Sequence, residues 1–288
     1  MDLVTSDGGI EHVVDTDRYP LADQPGRSAL VARARRELRG TGCCVLPDFV
    51  RPELRETLRL ESGQLADRAY HHVETVNVYN TEPDPTLPPG HPARTTMERG
   101  NAFVARDEIP ERFVVHRLYA SPLFRRLVAD CFGRSEVHEL ADPLSGLVLN
   151  VVSPGRSHPW HFDVNELTVS MLTQGSEGGG VFEYCPNIRT AQEENVDDVR
   201  AVLDGRDSHP VRRLTLRPGD LQLFLGRYSL HRVTPVRGTT SRHSAIFAYS
   251  ERPGVVGTIA RTRQLFGRVA EQHLAAADRA VRVDQLMD

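Results

Sequence analysis

The residues best placed to do chemistry together lie in Ser157-His158-Pro159-Trp160-His161-Phe162-Asp163. On an extended strand, side chains two apart share a side. His161 and Asp163 would then present an imidazole and a carboxylate together, while Phe162 turns into packing. A neutral nitrogen beside a hard anionic oxygen is half of a site for a borderline divalent metal. H-x-D alone arises by chance in many chains, so it gains weight only from further donors in order. Seventy residues on, Tyr228-Ser229-Leu230-His231-Arg232-Val233-Thr234-Pro235 supplies a third donor, His231. Arg242-His243-Ser244 comes after it, with a guanidinium and a hydroxyl on one side of a strand, a pair suited to gripping a carboxylate. Two imidazoles and one carboxylate on one face of a metal leave positions open for other molecules. That is the donor set of non-haem Fe(II) oxygenases, whereas structural zinc prefers four closed ligands with Cys among them.

The elements that must position these groups are short. Arg217-Pro218-Gly219-Asp220 turns into an alternating apolar strand at Leu221–Leu225, and strands are also expected at 136–140, 146–152, 161–172, 181–184, 214–216, 231–234 and 244–249. Helical spacing predicts helices over Ser28–Arg39 (stopped by Gly40-Thr41-Gly42), from about Pro52 to Tyr70, over Pro122–Cys131, around Glu193–Leu203, and from Thr262 to Leu286. Residues 1–26 read as a polar, irregular extension to a single domain spanning 27–288. Residues 71–110, Pro-rich and without helical period, read as a lid, and 187–213 as an insertion between strands. Helices first, then many short strands with Gly and Pro turns, point to an α+β chain with a mostly β core, helices packed on a compact barrel or jelly roll.

At 288 residues the chain can bury one substantial core. A net charge of -4 gives no reason to expect nucleic acid, and no apolar run is long enough to span a membrane. All 35 basic residues are Arg, so any anionic ligand must be held by guanidinium and no Lys can form a Schiff base. Cys43, Cys44, Cys131 and Cys185 have no C-x-x-C spacing, which fits a reduced, cytoplasmic protein.

The H-x-D, the Pro-Gly-Asp strand before the distal His, and the Arg-x-Ser after it resemble the Fe(II)/2-oxoglutarate-dependent dioxygenases over about Leu147–Tyr249. The run Gly42-Cys43-Cys44-Val45-Leu46-Pro47-Asp48-Phe49 is similar to the strand-to-helix entry of that superfamily. The resemblance implies a double-stranded β-helix (jelly roll, cupin-like) flanked by N-terminal and C-terminal helices, with Fe(II), 2-oxoglutarate and O2 as cofactors. It implies iron on His161, Asp163 and His231, and the distal carboxylate of 2-oxoglutarate on Arg242 and Ser244.

A closer likeness lies in Trp160-His161-Phe162-Asp163, in Gly180 through Arg189, and in Leu230 through Val236. These are similar to bacterial radical halogenases and hydroxylases of free amino acids. Halogenating members carry Gly in place of the metal carboxylate; Asp163 fills that position here, which implies hydroxylation. His158 matches a His that contacts the substrate carboxylate, and Arg99 matches an upstream Arg with the same role. Val164 stands where lysine-chlorinating members have an acidic residue, which tilts the expected substrate toward a free amino acid with a neutral side chain, or a related metabolite.

Several assignments stay open in the sequence. Asn150 could bond 2-oxoglutarate or satisfy a barrel neighbour. Trp160 is expected to pack, and His71, His72 and His91 to be exposed. Of Glu183 and Tyr184, on opposite faces of one strand, at most one points inward. Desaturation, ring closure or a carrier- or peptide-bound substrate would use the same cofactors. A zinc hydrolase and a barrel that only binds a small molecule are the rivals; the first has no use for Arg242, and the intact three donors weigh against the second.

Overall fold

The computed structural model describes residues 9–22, 25–165, 167–206, 209–276 and 286–287. Its helices are α1 (Arg27–Thr41), α2 (Arg55–Ala66), α3 (Val114–Ala120), α4 (Pro122–Phe132), α5 (Val196–Leu203), α6 (Ile259–Phe266) and α7 (Glu271–Ala275). Its strands are β1 (Cys43–Leu46), β2 (Glu74–Val76), β3 (Met97–Arg99), β4 (Ala102–Val104), β5 (His138–Glu139), β6 (Leu147–Val152), β7 (His158–His161), β8 (Thr168–Gln174), β9 (Gly178–Gly179), β10 (Phe182–Cys185), β11 (Arg212–Leu214), β12 (Leu221–Phe224), β13 (Leu230–Val233), β14 (Val236–Arg237) and β15 (Arg242–Ser250). The larger sheet runs β1-β12-β8-β15-β6-β4, with β5 paired to β15, and the smaller runs β11-β10-β13-β7. Both are antiparallel.

Register assigns the two faces of the larger sheet. One rung joins Leu46, Leu221, Met171, Ala245, Leu149 and Val104, and the next in-phase rung joins Cys44, Leu223, Val169, Phe247 and Leu147. All of these belong to the main core with Leu30, Leu38, Leu58, Leu118 and Phe124 of α1 to α4. α1 buries Leu30, Ala34 and Leu38 at four-residue spacing and ends at Gly42. The alternate rungs, among them Leu172-Ser244-Asn150-Phe103, face the smaller sheet, where Phe224 meets Phe182 at 5.2 Å between ring centroids.

Four local expectations differ from what the chain adopts. The N-terminal stretch is not irregular throughout: Ile10–His12 forms a 3-10 turn, and Ile10, Val13, Val14, Tyr19 and Leu21 are buried in the main core. Their apolar residues are spaced without a helical period, so they carry no local signature. The 161–172 strand is two strands, β7 and β8, joined by a turn that carries Asp163. The long C-terminal helix stops at Phe266 because Gly267 adopts φ 68, a left-handed cap that Gly takes without strain; α7 follows, and 277–285 fall outside the described residues. The 71–110 stretch is not all cover, since β4 pairs with β6 in the larger sheet. Helix α3 has no counterpart among the expected helices; at seven residues it is too short to show a period. No described helix is long and apolar enough to cross a membrane.

Candidate metal centre

His161 and His231 are cross-strand partners on β7 and β13 and therefore point the same way. Asp163 lies two residues beyond β7, held by its N–H to Gly226 O at 3.1 Å, so the turn and not strand alternation aims its carboxylate. Asp163 Oδ1 sits 3.7 Å from His161 Nε2 and 3.5 Å from His231 Nε2. Donors each about 2.1 Å from one ion lie roughly 3.0–3.5 Å apart, so these three converge as a metal requires; all donor atoms fall within 4.8 Å of one another. Each ring is oriented from behind. His161 Nδ1 donates to Pro159 O at 2.8 Å and His231 Nδ1 to Ser229 O at 2.9 Å, because a carbonyl can only accept. That fixes the tautomer with the Nε2 lone pair free toward the site. Thr168 Oγ1 donates to Asp163 Oδ2 at 2.6 Å, and a Cβ on Gly226 would collide with that carboxylate. Sequence reasoning missed both residues; only the fold brings Gly226 there.

Burial, with His158 and His231 adding to it, pushes the His161 imidazole well below its ordinary range, so it stays neutral as a metal ligand must. Burial alone would raise the Asp163 carboxyl. The imidazoles of His231 and His161 and the Thr168 hydroxyl outweigh it and hold that carboxyl well below the usual range. Phe224 and Phe182 pack on His231 at 4.9 and 5.5 Å between centroids and shield it.

Arg242 and Ser244 share the inner face of β15, and Arg242 Nη1 donates to Ser244 Oγ at 3.1 Å. Arg242 is 5% exposed, and no carboxylate pairs with it among the described residues. Burial lowers it to about 10, which leaves it charged at neutral pH. A buried, unpaired guanidinium is unfavourable until an anion arrives. Asn150 stands opposite Ser244 and accepts from Asn101 Nδ2 at 2.9 Å, so it is tied into the wall of this face.

His158 stacks on His161 at 3.8 Å between centroids, and its Nε2 is buried without a partner among the described residues. Arg99 is 2% exposed and ion-paired with Glu74, yet its Nε and Nη1 are likewise unpartnered. Phe162 packs outward between Tyr79 and the Arg189 guanidinium, and Trp160 lies under Arg232 on the outer face. Tyr184 is the inward member of its pair, in register with His231, while Glu183 points outward to Arg232 and Arg213. His71 and His72 are exposed; His91 is half-buried and caps a 3-10 turn by accepting from Ala93 N.

A family model described as Halogenase D matches residues 27–263. No curated protein matches the sequence. Among solved structures, the non-heme alpha ketoglutarate dependent carbocyclase SnoK from nogalamycin biosynthesis aligns with TM-score 0.55 at 14% identity, over 80% of this chain and 89% of that one. A prolyl hydroxylase from Trichoplax adhaerens, in complex with a hypoxia inducible factor peptide, aligns with TM-score 0.53 at 14% identity, over 85% and 98%. AviO1 from Streptomyces viridochromogenes aligns with TM-score 0.52 at 17% identity, over 80% and 96%. With most of its length matched, the chain belongs to the Halogenase D family; it shares its fold with these three structures, and its His161, Asp163 and His231 cluster could hold a metal ion.

Proposed function

We propose that this enzyme hydroxylates an unactivated C–H bond of a small carboxylate-bearing molecule, a free amino acid with a neutral side chain or a related metabolite. His161, Asp163 and His231 hold Fe(II), Arg242 and Ser244 hold the distal carboxylate of 2-oxoglutarate with Asn150 beside them, and O2 is the third cosubstrate. When bound, the iron and its keto acid supply the oxidant, with succinate and CO2 as by-products; the protein supplies position and dryness. His158 and Arg99 offer unpartnered polar atoms to the substrate carboxylate. Phe182 and Phe224 exclude water around His231.

The observation that carries this reading is the filled carboxylate position. Asp163 is aimed at both imidazoles and fastened by Thr168, which leaves no gap in that place for a halide. Val164, next along the turn, offers a substrate ammonium no acidic partner.

Anaerobic titration tests it. Adding Fe(II) and then 2-oxoglutarate should produce a weak visible charge-transfer band, and Arg242→Ala should lose that band at the same 2-oxoglutarate concentration. A screen of free amino acids for substrate-stimulated succinate release, followed by product mass, then identifies the reaction. Absence of the band in the wild-type protein, or its persistence unchanged in Arg242→Ala, would sink the proposal.

A further inference from the structure

The charges around the metal balance, but those on the substrate side do not. A divalent ion and Arg242 face Asp163 and the two carboxylates of 2-oxoglutarate, three charges of each sign. Beyond His158, a second polar cluster joins β2, β3 and α6. Glu74 and Arg99 are cross-strand partners and ion-paired. The second Glu74 oxygen accepts from Gln264 Nε2 at 2.7 Å, and Gln264 Oε1 accepts from Arg261 Nη1. One carboxylate thus serves two guanidiniums. The other charges that bear on Arg261 are Arg99 and, less strongly, Asp163. Burial lowers Arg261 to about 9, so it keeps its charge at neutral pH. Phe103, which packs with Leu265 and Phe266 of α6, meets the His158 ring edge-on at 6.3 Å between centroids, so the helix that carries Arg261 borders His158.

Arg261 is also held in place. Leu265 and Phe266 of α6 pack on Phe103, Val148 and Ile246 along the inner face of the larger sheet. The chain on either side of α6 is fastened to one fully buried carboxylate: Asp142 Oδ2 accepts from Gly257 N at 2.9 Å and from His273 Nε2 at 3.0 Å. A cation presented on a pinned helix loses little freedom when a ligand arrives, which is what a specificity residue needs.

We propose that Arg261 determines specificity, and that the substrate supplies the missing negative charge as a dicarboxylic amino acid. One acid group meets Arg99 and His158, and the other meets Arg261. The inference rests on the oxygenase function proposed for this site and replaces the neutral side chain read from Val164 with an anionic one.

The test uses the full-length, Fe(II)-loaded enzyme and a panel of short 2-amino dicarboxylic acids, their side-chain amides, straight-chain neutral amino acids and diamino acids. Succinate release above the substrate-free rate is the readout. The dicarboxylic acids should show the highest kcat/KM. Arg261→Gln should raise KM for them by about tenfold or more, the loss of one charge-assisted hydrogen bond. The loss should fall on KM rather than on kcat. KM for the side-chain amides should not move, and Arg261→Lys should recover part of the lost affinity. A wild-type preference for amides or neutral amino acids overturns the proposal, as does an acid-to-amide ratio unchanged in Arg261→Gln. If Arg261→Gln melts early, the wild-type ratio and Arg261→Lys still decide. Loss of the charge-transfer band in the wild type would instead strike the oxygenase function itself, so the two failures are distinguishable.

Discussion

The two faces of the larger sheet come from the same strands, one residue out of phase, and they do opposite work. Toward the helices, the rung Leu46-Leu221-Met171-Ala245-Leu149-Val104 is apolar throughout and shut from solvent. Toward the smaller sheet, Ser170 bonds Gln222 at 3.1 Å, Asn101 bonds Asn150, and Arg242 bonds Ser244. The first face gains stability from area removed from water. The second keeps a buried guanidinium without a counter-ion among the described residues, which lowers the stability of the empty protein. Stability and reactivity are thereby separated by a single step of strand alternation. Residues facing the helices should govern folding, and residues facing the site should govern chemistry.

The largest effect should come from the site side: His231→Ala removes a donor and should drop substrate-dependent succinate release to background, while the melting midpoint barely moves. A matching collapse in the midpoint would break the comparison. Phe247→Ala on the opposite face should cost about 3–5 kcal/mol in denaturant unfolding, and the fraction that stays folded should bind 2-oxoglutarate with unchanged affinity. Arg242→Met sharpens the contrast. In wild type, saturating 2-oxoglutarate at a hundred times its Kd should add about 2.7 kcal/mol. The variant should lose that gain and yet melt higher than ligand-free wild type, because an unpaired buried charge is gone.

The smallest effect concerns His243, which faces the helices and contacts Ser62 Oγ at 3.3 Å. Burial first, and Arg242 second, lower it to about 4. Its folded value lies below its unfolded one, so the unfolded chain binds the proton first and acidification from about pH 6.5 toward 4 favours unfolding. In that window its own contribution is at most about 1.4 kcal/mol per pH unit, beside those of His158 and His116, which burial also lowers. His243→Gln should reduce the slope by that contribution. An unchanged slope would mean that His243 is not among the titrating groups.

Legibility followed range. In β15, Arg242 and Ser244 alternate with His243 and Ala245, and period-two spacing puts Arg242 and Ser244 on one side, in register with Val152 and Asn150. Helix α1 was legible because Leu30, Ala34 and Leu38 repeat at helical spacing over its length. The H-x-D brought into view two of the three residues that converge, for an incomplete reason, since β7 ends at His161 and the aim of Asp163 comes from the turn and from Gly226. Ile10, Val13 and Val14 read as an irregular extension because no repeat marks them, yet the core holds them.

By itself the sequence determined the donor types, two imidazoles and a carboxylate, the guanidinium that must serve every anion in a chain without Lys, and the alternation that splits apolar from polar faces. These are properties of a residue and its near neighbours, so they survive without a fold. Only the tertiary structure decided that Glu74 reaches Gln264 across 190 residues, that α6 links Arg261 through Gln264 to the Glu74–Arg99 pair, and that Gly226 leaves room for Asp163. Such contacts depend on where distant segments close on one another, and neither propensity nor spacing encodes that locally.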